Sequence, residues 1–316
     1  MSWPRGGARA WLELMRLSNL PTVLSNTLVG LALGSRVSGV DWAQWIEPAS
    51  SWRRLGGLMG EGWPVVVAGV LFYAGGMILN DVVDRHVDRQ ERPHRPLPSG
   101  RVNVVAAGGA AAVMLVVGVA LAASLGAAPG VWAVGLAALI VAYNLLHQHT
   151  SGAAVLMGAC RAALYLMAAS VLASRSAALL REAAPLAALL GLYVVMLTIV
   201  ARREARSSGD EAGGRRQLAW AMAILPLLGA AVVTPAGWAW FGASVAAAAL
   251  VLWLIGAARH LDRQPPDIRA VVHAHLAGIC LIDAYFLALM GMPAAVLAAW
   301  LCFGLTLAGH RRIMGT

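Results

Sequence analysis

Apolar and polar positions along the chain alternate in blocks: ten long apolar runs are separated by short polar or charged segments. The runs lie at roughly Leu17 to Leu33, Pro64 to Asn80, Val102 to Leu125, Val131 to Leu146, from Ala153 onward, Leu186 to Ala201, Leu218 to Val233, Trp238 to Ala257, Val271 to Met290 and Pro293 to Ala308. Runs of about 20 apolar residues cross a bilayer as helices, which satisfy their own backbone hydrogen bonds in lipid. The pattern therefore predicts an all-α, polytopic membrane protein: a bundle of nine or ten transmembrane helices forming one domain over residues 1–316. Ahead of the first run, Trp11, Leu12, Leu14 and Met15 stand against Arg5, Arg9 and Arg16, the pattern of an interfacial helix. Residues 35–63 read as a loop, and Ala127 to Gly130 as a tight link.

Composition agrees with a lipid environment. The chain is 59% hydrophobic and 12% charged, against about 25% charged in soluble domains. Its net charge of +9 comes entirely from arginine among the basic residues. A basic chain raises nucleic acid as a partner, but these arginines gather between the apolar runs, where membrane topology and anionic ligands account for them better. With the N-terminus inside, inner segments hold 18 arginines and outer loops 5, so the positive-inside rule puts both charged stretches and the N-terminus on the cytoplasmic side of a cell membrane. Cys160, Cys280 and Cys302 all lie in apolar runs without metal-type spacing and read as small core residues.

The densest chemistry follows the second run, in NDVVDRHVDRQERPHRPLPSG from Asn80 to Gly100. At about 100° per helical residue, Asp84 lies about 60° and Asp88 about 20° from Asp81, and Asn80 borders Asp84 one turn back. One face of a helix end thus carries Asn80, Asp81, Asp84 and Asp88. Like charges packed together call for a counterion, and hard oxygen donors favour Mg²⁺. Arg85, Arg89, Arg92, Arg95 and Arg101 follow and call for an anion. A diphosphate bridged by Mg²⁺ satisfies both halves; the alternative is a solvated loop whose acids and arginines pair with each other.

Other polar residues sit within or beside apolar runs. Asn19 and Asn26, seven residues apart, fall on one helix face, either as packing contacts between helices or lining a site. Arg161 lies inside a span and is a functional candidate or a partner within the bundle. Asp283, also inside a span, reads as a proton relay, a partner for Arg161, or a protonated, hydrogen-bonded acid. His147 and His149 are ligands or simply hydrated. A second charged stretch, ARREARSSGDEAGGRR, follows the sixth run.

These residues resemble the UbiA superfamily of intramembrane prenyltransferases. Its signature N-D-x-x-D-x-x-x-D followed by R-P-L-P-S-G is matched by Asn80, Asp81, Asp84 and Asp88, then Arg95 to Gly100. The Tyr143–Asn144 pair, the MGACR segment ending at Arg161 and the charged stretch after the sixth run fall where the family has its counterparts. Of the second acidic motif, Arg203, Glu204, Gly209 and Asp210 are present; a lysine common after the tyrosine–asparagine pair is not, and Leu164 stands where an asparagine is frequent.

The resemblance implies a Mg²⁺-dependent enzyme that moves a polyprenyl group from a polyprenyl diphosphate to an aromatic or alcohol acceptor, with lipid around it and no nucleic acid. Asn80, Asp81, Asp84 and Asp88 would hold one Mg²⁺, and Glu204 and Asp210 a second. Asp81, Asp84, Asp88, Arg161 and Arg203 would act in catalysis; Asn19, Asn80, Arg92, Arg95, Tyr143 and Asn144 would bind substrate. Two readings compete with this one. The first is a non-catalytic relative that binds or moves an isoprenoid or other lipid; the second is a transporter built on an Arg161–Asp283 pair.

Overall fold

The computed structural model describes residues 7–38, 48–150, 152–173, 176–203, 212–262 and 267–312. Among them every regular element is a helix: α1 (Gly7–Leu14), α2 (Leu20–Val37), α3 (Pro48–Glu91), α4 (Val104–Ala123), α5 (Ala127–Leu146), α6 (Ala153–Ala169), α7 (Ser176–Arg203), α8 (Ala212–Ile224), α9 (Gly229–Val232), α10 (Ala239–Ala258), α11 (Ile268–Leu289) and α12 (Pro293–Arg312). Seven of the described helices are long and apolar enough to cross a bilayer. The other three apolar runs fall on α2, of 18 residues, on α6, and on the shorter segment Gln217–Val232. That last segment breaks where Pro226 removes a backbone donor, so a 3₁₀ turn separates α8 from α9.

Two expectations change. Much of the anticipated loop over residues 35–63 is helix, because α3 begins at Pro48 and runs 44 residues to Glu91. Within it Gly62 packs closely on α2, where a Cβ would meet Leu31, and further along one on Gly69 would meet Thr27, while Gly56, Gly57 and Gly60 face open space. At about 1.5 Å per residue, α3 is about 66 Å long, roughly twice the hydrocarbon thickness. It therefore carries its acidic face beyond the apolar layer. The supposed link Ala127 to Gly130 is instead the first turn of α5, where Pro129 costs no hydrogen bond; Gly126, at φ 140°, makes the turn.

Burial separates inner from outer helices. In α11, 72% of the apolar stretch is buried by protein, against 22% in α4 and in α12, so α4 and α12 present their apolar faces to lipid. Helix α2 lies inside with α11, its residues from Ser25 to Ser35 buried. Small residues let α6 approach both α2 and α7. A Cβ on Gly30 would come within 2.5 Å of Ala168 Cβ, and one on Gly158 would run into the main-chain oxygen of Gly191. Gly158 is one turn before Arg161, so this contact fixes the depth and rotation at which α6 presents that arginine.

The interfacial helix forms as α1. Its Ala10 and Leu14 are fully buried and pack with Ile78, Leu97, Val102, Ala107 and Ala111, which ties the chain's first helix to the start of the acidic stretch. Cys160, Cys280 and Cys302 are free thiols; Cys280 is buried, as expected of a core residue, while Cys160 and Cys302 are partly exposed.

Candidate functional site

The C-terminal end of α3 carries Asn80, Asp81, Asp84 and Asp88, and each carboxylate meets a cationic side chain. Asp81 Oδ1 accepts from Arg16 Nη2 at 3.1 Å. Asp88 accepts from Arg95 Nη1 through both oxygens, at 3.0 and 2.8 Å. The same Nη1 lies 3.7 Å from Asp81 Oδ1, so two carboxylates about two helical turns apart converge on one cationic nitrogen. Asp81, Asp88 and Arg95 are buried. Arg92, more exposed, stands 3.9 Å from Asp88.

Asp84 is held differently. It accepts from Asn80 Nδ2 at 2.6 Å, from Gln148 Nε2, and from His147 Nε2, which lies 2.9 Å from Oδ1. The other ring nitrogen, Nδ1, faces the main-chain oxygen of Asn144 at 3.0 Å. Two acceptors, one on each nitrogen, are both satisfied only by the imidazolium. The hydrogen bond to Asp84 raises the His147 pKa above its ordinary value, against the opposing effect of burial. A raised histidine pKa stabilises the fold fully below the unfolded value of about 6.5 and loses that contribution as pH rises through the folded value. The apparent unfolding temperature is accordingly expected to fall as pH rises from about 6 to 9, and His147→Gln to remove that part of the slope; unfolding scans of both proteins at one heating rate check this.

The loop after α3 is shaped by its own motif. Ser99 Oγ donates to the Arg95 main-chain oxygen at 2.6 Å, and Gly100 takes φ 74°, a conformation open to glycine. Arg101 leaves this turn to pair with Glu13 of α1 at 2.8 Å. Arg16, just after α1, is the one non-glycine residue at positive φ, 45°, among the described residues. That strained conformation aims its guanidinium at Asp81.

Other expected residues take varied places. Tyr143 stacks on His147 with centroids 5.3 Å apart. Asn144 is buried; its Nδ2 donates to the main-chain oxygens of Ile140 and Gly76, at 2.9 and 3.4 Å, while its Oδ1 is buried with no partner. Asn19 ends a 3₁₀ turn before α2 and meets His310 Nε2 of α12 at 2.6 Å, whereas Asn26, inside α2, meets Arg161 and Asp283. Arg161 does not pair with Asp283. Asn26 stands between them, accepting from Arg161 at 2.7 Å and donating to Asp283 at 2.8 Å.

Arg203 is the last residue of α7; Glu204 and Asp210 lie outside the described residues. Next to Arg203, Arg202 donates to the main-chain oxygens of His147 and Thr150, at 2.8 and 3.0 Å. The start of the second charged stretch is thereby at the same end of the bundle as Asp84, as a shared site requires. Arg16, Gln148 and Arg202 were not singled out as site residues from the sequence. Their signal, a single polar side chain at a helix end, is shared by many solvated residues, and only the fold brings them to the acids.

The donor set fits a hard divalent cation: carboxylate and amide oxygens on one helix face, already matched by positive groups. Arg95 Nη1, between Asp81 and Asp88, occupies a position such a cation would share. Among the described residues, though, no three His, Cys, Asp or Glu side chains converge on a single point, so Asp84 must exchange His147 or Gln148 to join its neighbours around a metal.

The model of the UbiA prenyltransferase family matches residues 60–279, a stretch that starts within the first third of α3 and ends about halfway along α11. The chain is 33% identical over 140 residues to a digeranylgeranylglyceryl phosphate synthase from Ignicoccus hospitalis, covering 44% of this chain and 39% of that protein. In the curated relatives heading this comparison, the match spans less than two fifths of their length. Its fold is similar to that of a UbiA homolog from Aeropyrum pernix, with a TM-score of 0.65 at 17% identity over 84% of this chain and 96% of that one. It is also similar to a UbiA homolog from Archaeoglobus fulgidus bound to GPP and Mg²⁺, with a TM-score of 0.57 at 15% identity over 89% of this chain and 99% of that one.

Proposed function

The chain belongs to the UbiA prenyltransferase family, and from that premise we propose that it transfers a polyprenyl group from a polyprenyl diphosphate to an acceptor, with Mg²⁺ assisting departure of the diphosphate. The observation that carries this reading is the end of α3, where Asp81 and Asp88 converge on a buried cation and Asp84 sits beside them with exchangeable partners. In this reading Asn80, Asp81, Asp84 and Asp88 hold Mg²⁺, and Glu204 and Asp210 contribute to a second ion. The bound metal supplies charge neutralisation to the leaving diphosphate.

This chain's own residues do the rest. Arg92, Arg95, Arg161 and Arg203 donate to diphosphate oxygens, where developing negative charge strengthens each bond. Asn19, Tyr143 and Asn144 border the bound donor. His147 and Gln148 hold Asp84 in place before the metal does. The prenyl tail lies between apolar helices in contact with lipid, and the arginine bias puts the site and the N-terminus on the cytoplasmic face of a single membrane domain. Among acceptors, the digeranylgeranylglyceryl phosphate synthases that the chain resembles favour an alcohol on a glycerol phosphate over an aromatic ring.

One observation favours a second reading, a non-catalytic isoprenoid or lipid binder: each acid of the cluster already has a protein cation, and among the described residues no three acids meet. One assay separates the two. Purified protein in nanodiscs is given geranylgeranyl diphosphate, an alcohol or aromatic acceptor, and either Mg²⁺ or excess chelator. Diphosphate release with a prenylated product, lost on chelation, is the expected result. Donor binding without release by folded protein would overturn the enzyme reading in favour of the binder.

A further inference from the structure

Four side chains on three helices form a chain of three hydrogen bonds inside the bundle, with both ends on α6, where Arg161 and Tyr165 are one turn apart. Arg161 Nη1 donates to Asn26 Oδ1 of α2 at 2.7 Å, and Asn26 Nδ2 donates to Asp283 Oδ2 of α11 at 2.8 Å. Tyr165 Oη completes the chain by donating to Asp283 Oδ1. Asn26, Tyr165 and Asp283 have no solvent exposure, whereas Arg161 is half-buried. Arg161 Nη2 also reaches Thr22 Oγ1 at 3.2 Å, and its guanidinium carbon lies 5.9 Å from the centre of the Tyr73 ring.

An arginine and a carboxylate at this depth gain most by direct contact, since each repays part of the other's desolvation. Here they are kept one amide apart. The amide serves both: its oxygen has only acceptor capacity and its nitrogen only donor capacity, so it faces Arg161 and Asp283 in one orientation. Asp283 accepts from both neighbours and so fixes that orientation; Tyr165 fixes Asp283. A direct pair would spend the guanidinium fork on a carboxylate and cancel its charge locally. The interposed amide restrains Arg161 through one hydrogen bond, and the two protein bonds together use two of its five N–H groups.

We propose that Asn26, Asp283 and Tyr165 are positioning residues that hold Arg161 ready for the donor's diphosphate while keeping its charge from being neutralised by the protein. This rests on the reading of Arg161 as a diphosphate ligand, and it assigns the intramembrane aspartate a task that neither proton relay nor direct ion pairing describes.

Asn26→Asp gives the decisive test, because it hands Arg161 a carboxylate in place of the amide oxygen. Steady-state KM for geranylgeranyl diphosphate, kcat and apparent unfolding temperature are measured for wild type, Arg161→Met, Asn26→Asp, Asp283→Asn and Tyr165→Phe. Arg161→Met is expected to raise KM by about tenfold or more, and Asn26→Asp to do likewise, its second oxygen meeting Asp283 only through a shared proton in place of the amide N–H; effects of about this size follow loss of residues that orient a ligating group. Asp283→Asn, which keeps one acceptor oxygen for two donors, raises KM by a smaller factor, and it carries the same test should Asn26→Asp not fold. A purely structural set of bonds would instead move unfolding temperature and leave KM alone. If Arg161→Met raises KM while Asn26→Asp and Asp283→Asn stay within about twofold, the positioning role is overturned and the diphosphate role stands. If Arg161→Met leaves KM unchanged, the diphosphate reading of Arg161 fails, and the positioning role with it.

Discussion

Asp84→Ala is expected to reduce turnover by a factor on the order of 10³ or more, comparable to losing a group that stabilises transition-state charge, while the protein stays folded. The three acids of the cluster differ in how cleanly they can be tested. Asp81 and Asp88 are buried against arginines, so removing either strands a cation in a poorly hydrated place. Asp84 is partly exposed, and its partners are one amide on the same helix and two side chains of the turn after α5. Gln148 is exposed and regains water when the carboxylate goes, the buried Asn80 amide is uncharged, and the half-buried imidazole loses the bond that favours its charged form. Diphosphate release and unfolding temperature measured on one preparation decide the matter: activity within about tenfold of wild type would remove Asp84 from the metal site. Asp84→Asn refines the result, since it keeps the shape and one acceptor but lacks the charge that a hard cation selects. It is expected to be nearly as inactive as the alanine variant.

The apolar runs showed the helices because a lipid-crossing helix needs little but length and apolar composition. The places where that rule misled have a common cause. Residues 35–63, with Asp41, Glu47, Arg53 and Arg54, read as a loop, whereas contact with Leu31 across the α2–α3 interface makes glycine an asset at position 62 of a helix. Ala127 to Gly130 read as a link, but the cost of Pro129 depends on whether it falls in the first turn of a helix or beyond it, and the start of α5 is set by Gly126. The acidic face was legible from spacing within one helix. Its cations were less so: Arg95 follows closely in the chain, but Arg16 is 65 residues from Asp81 and His147 is 63 from Asp84. Arg161, Asn26 and Asp283 each stood out as polar groups in apolar runs, and a direct Arg161–Asp283 pair was the simplest way to neutralise them. Only the packing of α2 between α6 and α11 shows that Asn26 intervenes.

Arg95→Met is expected to cost about 3–5 kcal/mol of stability, the usual penalty for leaving one member of a buried ion pair uncompensated. Arg95 and Asp88 side chains are 7% and 4% exposed, and Arg95 Nη1 lies 2.8 Å from Asp88 Oδ2. Methionine fills similar volume without charge, so the loss falls on Asp88 and, at 3.7 Å from the same nitrogen, on Asp81. The turn itself survives, because Ser99 bonds to the Arg95 main-chain oxygen and not to its side chain. Asp88→Asn in the same protein relieves the stranded charge. The double variant is therefore expected to be more stable than Arg95→Met alone, a coupling that only interacting residues show. Apparent unfolding temperatures of wild type, both single variants and the double variant, taken at one heating rate in one detergent, close the cycle. Additive shifts would mean that Arg95 does not compensate Asp88. Strong coupling would mean that, before any metal arrives, a protein cation holds the acidic face together. A hard divalent ion held by Asp81 and Asp88 would then compete with Arg95 for their oxygens, and a guanidinium freed from them would be available to an anion.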